Sequence, residues 1–419
     1  MSNETGGGQT QNGPSEPTRR SSHEAESEPA RQESSPAIPS RIEFNARYNL
    51  ASLDEDLPRA SVRQVLKHYA ASVLIYGGLL LFVTLNPWFS SLLSIEYDGV
   101  TGLRIYYSLF AVYLVLTPIL LLVGRPRSLW ASKNLLILGF AWRVIRTLFR
   151  RDSKCDGWDC KPDYQERNAL MFLLIKLFYG PLMLHSLLLE LGKISALRFR
   201  LLFDPAWLDA LDAWFFIYIS ALFTLDSLLF FIGYSTESGL LRNRLRYAET
   251  NVFRILVCIA CYAPFNMVTT SILGPSNQQL LLFQGDLTHP MTWILRGLAA
   301  FFLLSLVSSS LFLFTKASNL TNRGIVTTGP YAVVRHPGYI AKNLFWLMTL
   351  IPLFFPDTEA IDFSWGAYLI ICLKTLFGWL GWGTIYFLRA ITEEQFLRRD
   401  PDYVAYCRKV KYRFIPWVY

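Results

Sequence analysis

Past residue 60 the chain alternates long apolar runs with short polar connections. Runs of about the twenty residues that a bilayer core requires fall at 69–85, 105–123, 169–189, 211–234, 252–273 and 291–314. A shorter run at 340–355 and a long one at 363–388 follow. The pattern predicts an all-α, polytopic membrane protein with about eight transmembrane helices. Residues 135–149, LLILGFAWRVIRTLF, carry Arg143 and Arg146 on an otherwise apolar helix. That pattern fits equally a helix lying in the headgroup plane and one packed against the bundle.

Residues 1–60 read differently. They are rich in Ser, Glu, Gln, Pro and Gly with few aromatics, a composition that cannot offset the entropy of ordering, and a disordered cytoplasmic tail is expected. The N-terminus has no basic segment leading into an apolar core, so no cleaved signal is expected and the first helix should remain as an anchor. Two further segments follow from the pattern: N-terminal membrane helices over 61–290 and a C-terminal membrane core over 291–419.

Composition supports the membrane class: 52% of residues are hydrophobic and only 17% are charged. The net charge of +8 raises the question of nucleic acid, but the basic residues flank apolar spans instead of striping a soluble helix, so no nucleic-acid partner is expected. Their distribution orients the chain. Alternate connections hold Arg59, Arg63 and Lys67, then ten Lys and Arg in 124–168, then Arg242, Arg244 and Arg246, then Lys316, Arg323, Arg335 and Lys342, and finally a basic C-terminal segment. The opposite connections hold only Arg104, Lys193, Arg198 and Arg200. The positive-inside rule then places both termini in the cytoplasm.

Cys258, Cys261 and Cys372 fall in apolar runs, and Cys155 and Cys160 share a loop assigned to the reducing cytosol, so neither a disulfide framework nor a metal site is expected. Lys176, Asp226, Arg296 and Lys374 fall inside spans, where charge is costly. For Lys176 and Arg296 the sequence favours snorkelling towards the interface, and Asp226 has no partner nameable from sequence. Gly378, Gly381 and Gly383 predict close helix packing.

Chemistry concentrates in two places. GPYAVVRHPGYIAKNLF, residues 329–345, sets Arg335, His336, Pro337 and Tyr339 just before an apolar run, and Arg389, Glu393 and Glu394 lie at the far end of the next hydrophobic hairpin. The connection over 356–362 is short enough to demand antiparallel neighbours. The 340–355 run spans only about 24 Å as a helix, so its start is drawn into the interfacial layer. The return helix meets no breaker from Trp365 to Arg399 and carries its Glu pair to the same rim. Asp400 and Pro401 then read as N-cap and first position of another helix, with Tyr403, Tyr406, Cys407 and Val410 at helical spacing as a lid.

GPYAVVRHPGY, the hairpin, RAITEEQFL and DPDYVAYCRKVKYRFIP together resemble the C-terminal core of the isoprenylcysteine carboxyl methyltransferase and phospholipid methyltransferase families, over about the last hundred residues. The resemblance implies S-adenosylmethionine as cofactor and a lipid or lipidated acceptor at the cytoplasmic interface. It assigns cofactor binding to Arg335, His336, Pro337, Tyr339, Glu393 and Glu394, with walls from Tyr331, Tyr403 and Tyr406. His336, Arg389 and Glu394 become the catalytic candidates. A carboxylate acceptor would need no general base; an amine would, with Glu394 or His336 supplying it.

Two alternatives remain open from sequence. Membrane sterol and enone reductases using a nicotinamide cofactor are similar in their RH motif and aromatic ending, although Gly338 stands where they usually carry Asn and Lys342 near their acidic residue. A transporter or scaffold without chemistry is the other, although no internal repeat supports it.

Overall fold

The computed structural model describes residues 59–126, 129, 132–149, 161–201, 207–237, 241–275, 287–355 and 364–418. Residues 1–58 of the tail expected to be disordered, Cys155 with Cys160, and the 356–362 turn lie outside the described residues.

Helices dominate, as the apolar runs dictate. In chain order they are α1 (Val62–Leu85), α2 (Pro87–Leu92), α3 (Gly102–Gly124), α4 (Lys133–Phe149), α5 (Tyr164–Leu201), α6 (Trp207–Ser235), α7 (Val252–Ile259), α8 (Asn266–Leu273), α9 (Pro290–Leu313), α10 (Pro337–Leu350), α11 (Trp365–Leu397) and α12 (Pro401–Lys409). Two small antiparallel pairs join them, Glu96–Tyr97 with Val100–Thr101 and Tyr247–Ala248 with Thr321–Asn322. Among the described residues six helices, α1, α3, α5, α6, α9 and α11, are long and apolar enough to cross a membrane. Their outward faces expose Val115, Leu120, Phe301, Ile370 and Phe377, side chains that water would not tolerate in such density. The chain is an all-α, multi-pass membrane protein.

Helix starts follow local chemistry. Ser61 caps α1 through a reciprocal box with Gln64, at 2.8 and 3.3 Å. Thr101 accepts from the Arg104 amide at the start of α3. At α12, Asp400 accepts from the Asp402 amide at 3.0 Å and Pro401 occupies the first turn, as the sequence predicts.

Two of the eight predicted spans are not continuous membrane-length helices. The 252–273 run divides into α7 and α8, because Pro264 has no amide hydrogen to continue the ladder and its ring collides with the preceding turn. The broken segment still runs along α11. Arg254 Nη2 donates to Gln395 Oε1 at 3.3 Å near one end, and Trp382 Nε1 donates to the Gly274 carbonyl at 3.0 Å near the other. The stretch of α11 between them covers on the order of 20 Å. The 340–355 run is α10 followed by a 3₁₀ turn at Ile351–Phe354, where Pro352 ends the α-helix.

Close packing explains the glycines. A Cβ on Gly378 would sit 2.2 Å from the Leu273 carbonyl oxygen, and one on Gly381 would sit 2.5 Å from the Leu273 side chain. Gly383, the third glycine of the predicted set, meets nothing closer than 3.7 Å. The helices α6, α9, α10 and α11 share a core of Leu222, Leu303, Val307, Phe345, Trp346 and Trp382. This core carries the polar cluster described below on its edge.

The in-span charges need correction. Arg296 does not snorkel: it is 1% exposed, pairs with Asp212 Oδ1 at 2.8 Å, and lies against the rings of Phe215, Phe216 and Trp293. A partner on α6 makes burial affordable where the sequence showed only a lone cation. Lys176 turns inward over the Phe172 and Tyr76 rings, 4.8 and 5.3 Å from their centroids. Lys374 is exposed. Helix α4 packs on the bundle, with Ile137 buried against Ile75 and Ala169, and exposes Trp142, Ile145 and Phe149.

Candidate functional site

Helix α10 starts where the motif predicts. His336 is its N-cap residue and Pro337 its first residue, so Pro337 fixes the direction in which His336 leaves the helix. Helix α11 returns antiparallel: Trp379 Nε1 donates to the Asn343 carbonyl at 3.2 Å, and Trp346 stacks edge-on against Trp382 and Tyr386. This register brings the two distant polar clusters together. Arg335 Nη1 donates to Glu394 Oε2 at 3.0 Å, His336 Nε2 lies 3.3 Å from Glu394 Oε1, and the Tyr339 hydroxyl donates to Glu393 Oε2 at 2.6 Å.

The two glutamates differ sharply. Glu394 is 2% exposed and is also approached by Arg413 Nε at 3.0 Å and Arg398 Nη2 at 3.5 Å. Three arginines and an imidazole on one carboxylate leave it little capacity to accept another proton, so it serves to hold Arg335, His336 and Arg413 in place. Glu393 has a side chain 41% exposed, and His336 Nδ1 is 4.0 Å from its Oε2. Of the pair it is the one open to a ligand.

Arg389 is buried on the same helix. Its Nη2 donates to Asn319 Oδ1 at 3.0 Å, and its guanidinium lies 5.2–5.6 Å from the ring centroids of Tyr262, Tyr339 and Tyr386. With Tyr339, Glu393, Asn319 and Thr392 it lines a polar hollow of about 40 Å³. Lys342 lies over the Trp346 and Tyr386 rings.

A strap and a lid close the site. The amides of Arg335 and His336 donate to the carbonyls of Tyr412 and Arg413 at 3.0 and 2.9 Å, and Arg335 Nη2 donates to the Lys411 carbonyl. The Phe414 ring leans on His336, which stacks on Tyr339 with ring centroids 5.4 Å apart. From α12 the Tyr406 hydroxyl donates to the Tyr331 carbonyl at 2.7 Å. Burial pushes the hydroxyls of Tyr331, Tyr403 and Tyr406 well up, keeping them protonated donors. Two buried polar atoms here, Arg335 Nε and the Tyr403 hydroxyl, have no hydrogen-bond partner among the described residues.

All ten sequence-derived candidates therefore fall in one neighbourhood, with different positions in it. Tyr331 contributes its backbone to the lid contact, Pro337 shapes the helix start, and Tyr403 and Tyr406 pack with Tyr331, Ile325 and Leu397. Sequence reasoning missed Arg413, Asn319 and Tyr262. Arg413 was hidden among basic residues that read as membrane flanking, and Asn319 in a polar connection just past the α9 span. It also missed the anchor of α12. Arg246 Nη1 donates to Asp400 Oδ2 at 2.6 Å and Asp402 Oδ2 at 2.8 Å, and Asn322 adds a third donor to Asp400. Burial works against the Arg246 cation, but the two carboxylates hold its pKa above the ordinary value.

Compared with known proteins, the chain matches no family model, no curated protein and no solved structure.

Proposed function

We propose that the chain is an S-adenosylmethionine-dependent methyltransferase that acts on a lipid or lipidated acceptor at the cytoplasmic membrane interface, with both termini on that side. The observation that carries this reading is the union of Arg335-His336-Pro337-Gly338-Tyr339 with Glu393-Glu394, residues 54 to 59 apart, in one buried cluster. The motif resemblance assigns the chemistry, and the charge asymmetry of the connections assigns the side.

The residues fit such a cofactor chemically. Its carboxylate suits the unpartnered Arg335 Nε and Tyr403 hydroxyl, and its ammonium or ribose hydroxyls suit the half-open Glu393 carboxylate. When bound, the cofactor supplies an electrophilic methyl group. The hollow of about 40 Å³ beside Arg389 and Glu393 is too small for its bulk, so the cluster must open to admit it.

The chain's own residues then divide the work. Glu394 orients Arg335 and His336, Arg389 fixes the tyrosine walls, and the strap excludes water. For an amine acceptor His336, backed by Glu393, is placed to take the proton, a role from which the arginines around Glu394 disqualify that carboxylate. A carboxylate acceptor needs neither.

The test is thermal unfolding of the detergent-solubilised chain with S-adenosylmethionine. A rise in melting temperature that is lost in His336→Ala and Glu393→Gln is expected. Stabilisation by NADPH alone would overturn the proposal in favour of a reductase. Transfer of label from the cofactor to a total membrane lipid extract would then identify the acceptor.

A further inference from the structure

A second cavity shares no lining residue with the hollow beside Arg389. It has a volume of about 1060 Å³ and lies between α1, α3, α4 and α5. That is at the upper end of small-molecule sites. Its two ends differ in character. Leu79, Leu80, Val83, Leu109, Phe110 and Leu177 form an apolar chamber. The other end holds Lys133, Lys176, Arg244 and Arg246 against a single acidic residue, Glu237.

The charges at that end do not cancel. Glu237 is engaged by Lys133 and accepts from the Leu245 amide at 3.1 Å. Arg246 is committed to Asp400 and Asp402. Besides the Phe172 and Tyr76 rings, Lys176 meets the Ser235 carbonyl at a long 3.5 Å, and neither it nor Arg244 forms an ion pair with a carboxylate among the described residues. Burial holds Lys133 and Arg244 below their ordinary pKa values, a penalty that an incoming anion relieves.

The wall of the chamber is thinly held. Helix α3 buries only Gly102, and it touches α1 through hydrogen bonds such as Tyr69 to the Leu114 carbonyl and Thr84 with Tyr107. A hydrocarbon chain can pass such a wall from the bilayer without unfolding a core.

We propose that this cavity binds one anionic membrane lipid, with hydrocarbon between α1, α3 and α5 and its phosphate against Lys176 and Arg244. Apolar chamber and surplus positive charge are joined in one volume, at the basic end of the bundle, which is the arrangement that an anionic headgroup with an attached chain requires. The site is independent of the methyltransferase reading.

The full chain in detergent is heated with dioleoyl phosphatidylglycerol, dioleoyl phosphatidylcholine or inorganic phosphate. Phosphatidylglycerol is expected to raise the melting temperature by on the order of 5 °C at saturation, and inorganic phosphate to leave it unchanged. Lys176→Gln with Arg244→Gln should remove the rise, Leu80→Trp should remove it by filling the chamber, and Lys374→Gln on the outer face should keep it. An equal rise with phosphatidylcholine, an equal rise with phosphate, or a rise that survives the double substitution would each overturn the proposal. Should the double variant fail to fold, native mass spectrometry of the unmodified chain in an equimolar lipid mixture decides. One retained phosphatidylglycerol per chain is expected, and no preference overturns the proposal.

Discussion

Glu394 and Glu393 are neighbours in sequence with opposite physical situations. Replacing Glu394 by Gln leaves Arg335, Arg413 and His336 without their buried counter-charge, and breaking such a cluster costs about 3–5 kcal/mol. Glu393→Gln removes a half-exposed carboxylate and should cost less than about 1 kcal/mol. Denaturation of the two variants separates them: Glu394→Gln falls in stability, whereas Glu393→Gln keeps its stability and loses cofactor-induced stabilisation. The sequence showed that both glutamates belong with the RHP motif. It favoured Glu394 as the catalytic one, whereas Glu393 is the one left open, because Arg413 arrives on Glu394 from another segment. Glu237 gives a pH dependence of known sign. Burial would raise its carboxyl pKa, but Lys133, Lys176 and Arg323 bring it below the ordinary 4.5. Its contribution to stability is therefore complete above about pH 4.5 and is lost as pH falls through the lower folded value. A melting temperature measured from pH 7 down to pH 3 should fall less steeply at its acid end in Glu237→Gln.

Among the helices, run length and composition carried most of the reading. Asp400 and Pro401 marked their helix start correctly, and the antiparallel pairing of α10 with α11 followed from a short connection. The break between α7 and α8 was not read, because mean hydropathy runs straight through Pro264 while the hydrogen-bond ladder does not. Arg296 was misjudged for a related reason. Its partner Asp212 lies on another helix, and no local pattern pairs them. The α8–α11 contact makes its own prediction. Gly378→Leu would drive a side chain into the Leu273 backbone, 2.2 Å from the built Cβ, and overpacking of this kind costs about 1–3 kcal/mol. A lower melting temperature for Gly378→Leu than for Gly383→Leu checks it, since Gly383 has room.

Across the whole molecule, one end of the bundle is tied laterally by polar contacts. Ala60 donates to the Arg125 carbonyl, Lys133 pairs with Glu237, Arg323 donates to the carbonyls of Thr236 and Asn243, and Arg246 reaches Asp400. The candidate site and the charged end of the large cavity both belong to this layer. An epitope inserted at Asp98, in the exposed turn before α3, should be inaccessible from the cytoplasm, whereas one at the N-terminus should be accessible there. Selective permeabilisation followed by antibody staining checks both, and the reverse labelling would invert the assigned orientation.

The strap at 411–413 has a consequence for biogenesis. Arg335 and the Lys411 carbonyl it meets are 76 residues apart, with the whole of α10, α11 and α12 between them. During synthesis the motif leaves the ribosome and α10 reaches the bilayer while the amides of Arg335 and His336 still have only water or headgroups to satisfy them. All the described helices, α1 to α12, are made before the partners of these amides exist, so membrane insertion and completion of the site are separate events in time.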